Sequence, residues 1–192
     1  MIANLALDRD VFTSNVFLVT GERTALVDVG NEFDVVEAVR DRVDDLDVVV
    51  LTHTHYDHVG NLESVLDAFD VEVVAFDGDA DGVTRTLGDG GTVQIGDHEY
   101  VALHTPGHKN DHLCLYSEAA GVLFAGDLVF AGGSFGRTDL DEGDRPTLIE
   151  SIERVLDVVD GAELRELHTG HGPSVESNPY QTIQMAHQAA QF

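Results

Sequence analysis

A chain of 192 residues with 43% hydrophobic content can bury one substantial core but not two, so a single domain over residues 1–192 is expected. Its 36 acidic against 10 basic residues give a formal charge of −26, which leaves no basic face for phosphates and excludes nucleic acid as a partner. The acids are spread among periodic apolar segments, a pattern unlike disordered acidity; it suits the cytoplasm of a salt-accumulating halophile, where screening relieves self-repulsion.

The N-terminus shows no signal peptide, and no apolar stretch is long enough to span a membrane, so no membrane partner is expected. Residues 16–20 and 25–29 read as a hairpin around Gly21-Glu22-Arg23, residues 34–43 as an amphipathic helix, and residues 47–51 as a buried strand. A helix over 62–69 and a strand over 71–76 follow. The Gly- and Asp-rich stretch 77–91 reads as loop with at most a short helix. Residues 92–95, 99–104, 112–117 and 121–125 read as further strands, 147–159 as a second amphipathic helix and 179–191 as a closing one. The one cysteine, Cys114, sits in an apolar run and reads as a small buried hydrophobe; a lone thiol excludes a disulfide framework and agrees with a reducing cytosol.

Five histidines and two aspartates fall in four short turns, each directly after an apolar run that reads as a buried strand. These turns are Thr52-His53-Thr54-His55-Tyr56-Asp57-His58, Thr105-Pro106-Gly107-His108, Gly126-Asp127 and Thr169-Gly170-His171-Gly172. Imidazole nitrogens and carboxylate oxygens are the donors that borderline cations such as zinc take, and a dinuclear site needs about three to four per metal plus an open position for water. His53 and His55, two apart at a strand end, point to the same side and can grip one ion; Asp57 and His58, where the chain turns into helix, can reach a second. Asp28, closing an apolar strand, is expected to orient a ligand histidine or brace the loop. His112 is either a supporting imidazole or a satisfied strand residue, and His98, His104, His168 and His187 read as structural.

The unbroken Thr-His-x-His-x-Asp-His from Thr52 to His58 resembles the signature of the metallo-β-lactamase fold superfamily, and residues 15–20 and 25–30 resemble its opening hairpin with a Leu-Val-Asp-Val-Gly element. The resemblance implies an α/β fold, a four-layer αββα sandwich with the ligands on loops at one edge of the sheets. It also implies that His53, His55 and His108 hold a first metal, Asp57, His58 and His171 a second, and that Asp127 bridges them, with Asp57 and Asp127 the catalytic carboxylates. Two zinc ions per chain are expected, with Fe(II) or mixed metals as the alternative. A water or hydroxide between two cations is acidified and the oxyanion it forms is stabilised, so no serine or cysteine nucleophile is needed.

In Gly132-Gly133-Ser134-Phe135-Gly136-Arg137-Thr138-Asp139, the Gly-Arg-Thr-Asp element resembles the glyoxalase II-like branch, which hydrolyses hydroxyacyl thioesters, and the related persulfide dioxygenases. True β-lactamases usually place a cysteine where this chain has Asp127. Arg137 offers a fork for a substrate carboxylate, or it closes a salt-bridged turn with Asp139. Full-length glyoxalase II enzymes carry a C-terminal helical extension that helps bind glutathione, whereas here one helix follows His171, so a smaller or different thiol carrier is expected. Lys109, the only lysine, stands beside His108, where it either meets an anionic small-molecule substrate or survives by chance at an exposed turn. The reading is a metal-dependent hydrolase of a small hydroxyacyl thioester. The alternative is an oxygenase whose single iron is held by His53, His108 and Asp127. A non-catalytic binding module is opposed by the complete ligand set.

Overall fold

The computed structural model describes every residue except Asp8. The first sheet runs in chain order: β1 (Ile2–Asn4), β2 (Phe17–Val19), β3 (Ala25–Val27), β4 (Val48–Val50), β5 (Glu72–Ala75) and β6 (Arg85–Thr86). Its first three strands pair antiparallel and the rest parallel. Helix α1 (Val35–Arg40) connects β3 to β4, and α2 (Tyr56–Val59) with α3 (Leu62–Ala68) connects β4 to β5, as parallel pairing requires. The second sheet holds β7 (Thr92–Ile95), β8 (His98–His104), β9 (Leu113–Ser117) and β10 (Val122–Phe124). A small ladder of β11 (Val129–Phe130) and β12 (Ser134–Phe135) precedes α4 (Arg145–Val158); β13 (Glu166–His168) joins the second sheet beside β10, and α5 (Pro179–Ala190) closes the chain.

Side-chain alternation divides the core into three sheets of apolar contact. Phe17, Val19, Ala25, Val27, Val48 and Val50 face the second sheet, meeting Tyr100, Leu113, Leu115 and Phe124 between the two layers. Their neighbours Leu18, Leu26 and Val49 point the other way onto Val35, Val39, Leu62 and Val65 of α1 and α3. Cys114, Leu123 and Leu167 do the same on the far side, against Leu148, Ile152, Ile183 and Ala186 of α4 and α5. The layers are therefore αββα, and the strands buried on both faces read as continuous apolar runs because no face meets water. Asp34 caps α1 by accepting from the Glu37 amide at 2.8 Å, and Asp144 caps α4 from the Thr147 amide at 2.8 Å.

Strands β1, β6, β11 and β12 are additions to the sequence reading, being too short to show a period. The stretch 77–91 holds β6 and no helix, with Arg85 of β6 tied to Glu72 of β5 at 2.9 Å. Among the described residues no helix is long and apolar enough to cross a membrane.

Candidate metal centre

Strand direction alone brings the four turns together. Strands β8 and β10 both run antiparallel to β9, and β13 runs parallel to β10, so the turns after β8, β10 and β13 leave the second sheet at one edge. The turn after β4 joins them through the Leu113 amide, which donates to the Thr52 carbonyl at 2.7 Å. Gly170 N–H donates to the Gly126 carbonyl at 2.7 Å, and Asn15 N–H to the Gly170 carbonyl at 2.7 Å, locking the remaining two turns to each other and to the opening segment. A side chain at Gly170 would place its Cβ 2.0 Å from Asp127 Oδ1, so this close approach requires glycine.

Seven donors converge in the structure. His53 Nε2 and His108 Nε2 each lie 3.0 Å from His55 Nδ1, forming one cluster. Asp57, His58 and His171 form another, with His171 Nε2 3.0 Å from Asp57 Oδ2. Asp127 stands between them, Oδ1 being 3.4 Å from His58 Nε2 and Oδ2 3.4 Å from His108 Nε2 and 3.5 Å from His171 Nε2. Donor atoms around a tetrahedral zinc at about 2.0–2.1 Å sit about 3.3 Å apart, which these spacings match.

Hydrogen bonds behind the ligands decide which nitrogens face inward. Asp28 Oδ1 and Oδ2 accept from the Thr52 amide and hydroxyl, each at 2.8 Å. With its own proton spent on Asp28, Thr52 Oγ1 accepts from His53 Nδ1 at 3.1 Å, leaving Nε2 of His53 free. His58 Nδ1 donates to Asp28 Oδ2 at 2.8 Å and His108 Nδ1 to the Arg137 carbonyl at 2.7 Å, again presenting Nε2 to the centre. Asp28 holds a positive φ of 58°, strain of the kind kept at sites that use it. His112 resolves as a supporting residue. Its Nε2 accepts from the Asp127 amide at 3.0 Å, so its Nδ1 proton goes to Thr105 Oγ1 at 2.8 Å, and this buried imidazole pins the backbone of Asp127.

The electrostatics suit a bound cation. In the first cluster three lone pairs converge, and burial, reinforced by neighbouring imidazoles, holds His53 well below the ordinary histidine range. Burial also opposes charge on His58 and His171, yet Asp28 and Asp127 raise His58 well above that range, and Asp127 with Asp57 raises His171 to about 9. Burial would raise Asp127, but His58 and His171 outweigh it and hold its carboxyl well below the usual range. The carboxylates here favour positive charge at the place where a cation would bind, and metal binding to such donors is coupled to proton release. His58 Nε2 and Asp127 Oδ1 are buried without a well-formed hydrogen bond, an arrangement a shared cation would satisfy.

A cavity of about 500 Å³ opens over the ligands, lined by Phe12, Tyr56, Phe130, Arg137 and Leu140 besides donors of both clusters. Arg137 lies at this cleft but is already paired, Nε and Nη2 binding Asp139 at 2.9 and 2.8 Å in an exposed turn. Lys109 does not line the cleft, so its expected contact with substrate gives way to a structural role. Its ammonium lies 3.2 Å from Asp111 and 3.3 Å from Glu142. Asp111 is buried and accepts from the Thr54 amide and hydroxyl, so the lone lysine neutralises a carboxylate that braces the first ligand turn. His168 is structural as expected, held by Ser174 and Glu166 and packed on Phe124. Cys114 is fully buried, which pushes its thiol up to about 12.

Comparison with known proteins agrees with this geometry. The hydroxyacylglutathione hydrolase of Klebsiella pneumoniae is 34% identical over 149 residues, 75% of this chain and 57% of that protein, so the chain spans little more than half the length of this curated relative. The protein TTHA1623, solved in a di-iron-bound form, superposes with a TM-score of 0.74 at 28% identity, covering 92% of this chain and 94% of the other. ETHE1 from Myxococcus xanthus superposes with a TM-score of 0.78 over 100% of this chain and 90% of its own, at 20% identity, a likeness of fold alone. The description "Metallo-beta-lactamase superfamily" matches residues 9–178, and over that span, with its ligand turns on one edge of an αββα sandwich, the chain belongs to the metallo-β-lactamase superfamily.

Proposed function

We propose that the protein is a two-metal thioester hydrolase acting on a small hydroxyacyl thioester. The observation that carries this reading is the pair of donor clusters sharing Asp127, in a chain 34% identical to a hydroxyacylglutathione hydrolase over 149 residues. His53, His55 and His108 would hold one ion, Asp57, His58 and His171 the other, and the two oxygens of Asp127 would serve both. Zinc suits the nitrogen-rich donor set, and the di-iron form of TTHA1623 makes iron the alternative metal. When bound, two such cations supply an acidified water and a Lewis acid for the carbonyl oxygen.

The chain's own residues do the positioning. Asp28 keeps a proton on His58 Nδ1, and the Arg137 carbonyl keeps one on His108 Nδ1, so both imidazoles present Nε2 inward. In the reaction a water oxygen bonds to the acyl carbon, the carbon–sulfur bond breaks, and a free thiol and a carboxylate are left. Arg137 lines the cleft with its guanidinium paired to Asp139, and is proposed as a polar contact for the substrate. The −26 charge and the single buried thiol support a cytoplasmic, salt-rich setting.

Metal-loaded protein given a 2-hydroxyacyl thioester should release one free thiol per ester cleaved, followed with a thiol reagent, and consume no oxygen at an electrode. Oxygen uptake with a thiol persulfide, and no thioester cleavage, would replace the hydrolase with the single-iron oxygenase.

A further inference from the structure

The mouth of the metal cleft is apolar in a chain whose formal charge is −26. Phe12 is 73% exposed, Tyr56 69% and Leu140 39%, and all three line the cavity that holds His55 and His171. Phe12 lies nearly parallel to the His171 imidazole with centroids 6.3 Å apart, and Phe130 flanks the same ring at 6.2 Å. Exposed apolar side chains gathered at one place mark a surface that something covers, and here they surround the reacting centre.

The cations argue in the same direction. Arg137 is held bidentately by Asp139, and Lys109 lies between Asp111 and Glu142. A carboxylate entering this cleft meets a guanidinium whose charge is already paired with Asp139, and it approaches in the field of an acidic protein.

We propose that the thioester taken by this cleft carries an apolar, uncharged substituent, aromatic or branched aliphatic, that packs on Phe12, Tyr56 and Leu140. The proposal rests on the thioester reading above, and gives these three residues the role of setting specificity. Rings offer large contact area with few torsions to freeze, which suits a site that must select by shape and not by charge.

The test is calorimetric binding of two non-hydrolysable 2-oxopropyl thioethers to the metal-loaded protein in one buffer, one bearing an S-benzyl group and one an S-glutathionyl group. The benzyl probe should bind at least about tenfold tighter, the effect of burying part of one aromatic side chain. Phe12→Ser or Leu140→Ser should weaken the benzyl probe about fivefold and the glutathionyl probe less than about twofold, with Phe12→Tyr close to wild type. These side chains are exposed, so their truncation removes no core contact. Equal or tighter binding of the glutathionyl probe, no measurable binding of the benzyl probe, or equal weakening of both by Phe12→Ser would overturn the proposal. Cleavage of the matching thioesters is scored separately: if neither is cleaved the hydrolase reading falls, while the binding ratio still judges the apolar site.

Discussion

Asp127→Ala should strip metal from both clusters, whereas Asp57→Ala should strip it from one. Asp127 reaches ligands of both, Oδ1 facing His58 and Oδ2 facing His108 and His171. Its loss also takes from the fully buried His53 and His58 a carboxylate that favours positive charge on both, so the site loses charge balance as well as a ligand. Loss of a supporting partner behind a ligand typically costs 10- to 100-fold in metal affinity, so removal of a shared ligand should cost at least about 100-fold at each cluster, with hydrolysis falling to background. Asp57 touches only the His171 and His58 side, at 3.0 and 3.9 Å. Elemental analysis after dialysis against a mild chelator reads the difference. An Asp127→Ala protein that keeps both ions would show that the carboxylate is not shared.

Molar potassium chloride should raise the melting temperature by at least about 5 °C over low salt, the shift that about 2 kcal/mol produces in a domain of this size. With 36 acidic and 10 basic residues, most carboxylates have no cation to meet. Several of the basic groups are already committed, as Arg23 and Arg85 are to the single carboxylate of Glu72. Screening contracts from about 10 Å at 0.1 M to about 3 Å at 1 M, which removes repulsion between carboxylates on neighbouring turns. An unchanged melting temperature across that range would contradict a salt-rich setting.

The ligand turns were legible because they combine two regular geometries. Two residues of strand period place His53 beside His55, and one turn of α2 carries Asp57 and His58 onward, so local spacing alone groups them. The αββα layers came from the resemblance and not from periodicity: Phe17 and Val19 face one layer and Leu18 and Leu26 the other, and with both faces buried the strands read as unbroken apolar runs. Contacts distant in sequence were not legible. Lys109 reads as free for substrate until Glu142, 33 positions away, is folded against it. The choice left open at Arg137 and at His112 turned on partners, Asp139 and the Asp127 amide, that spacing cannot rank. Phe12 and Tyr56 look like any apolar residue in a one-dimensional pattern, and only the fold places them at the mouth of the cleft and not in the core.

The two-metal centre is tested most directly by the metal content of protein purified from its native source without a metal-binding tag. Two transition-metal ions per chain, mostly zinc, are expected from two donor clusters joined by one carboxylate. A single iron per chain, with the cluster of Asp57, His58 and His171 vacant, would contradict it.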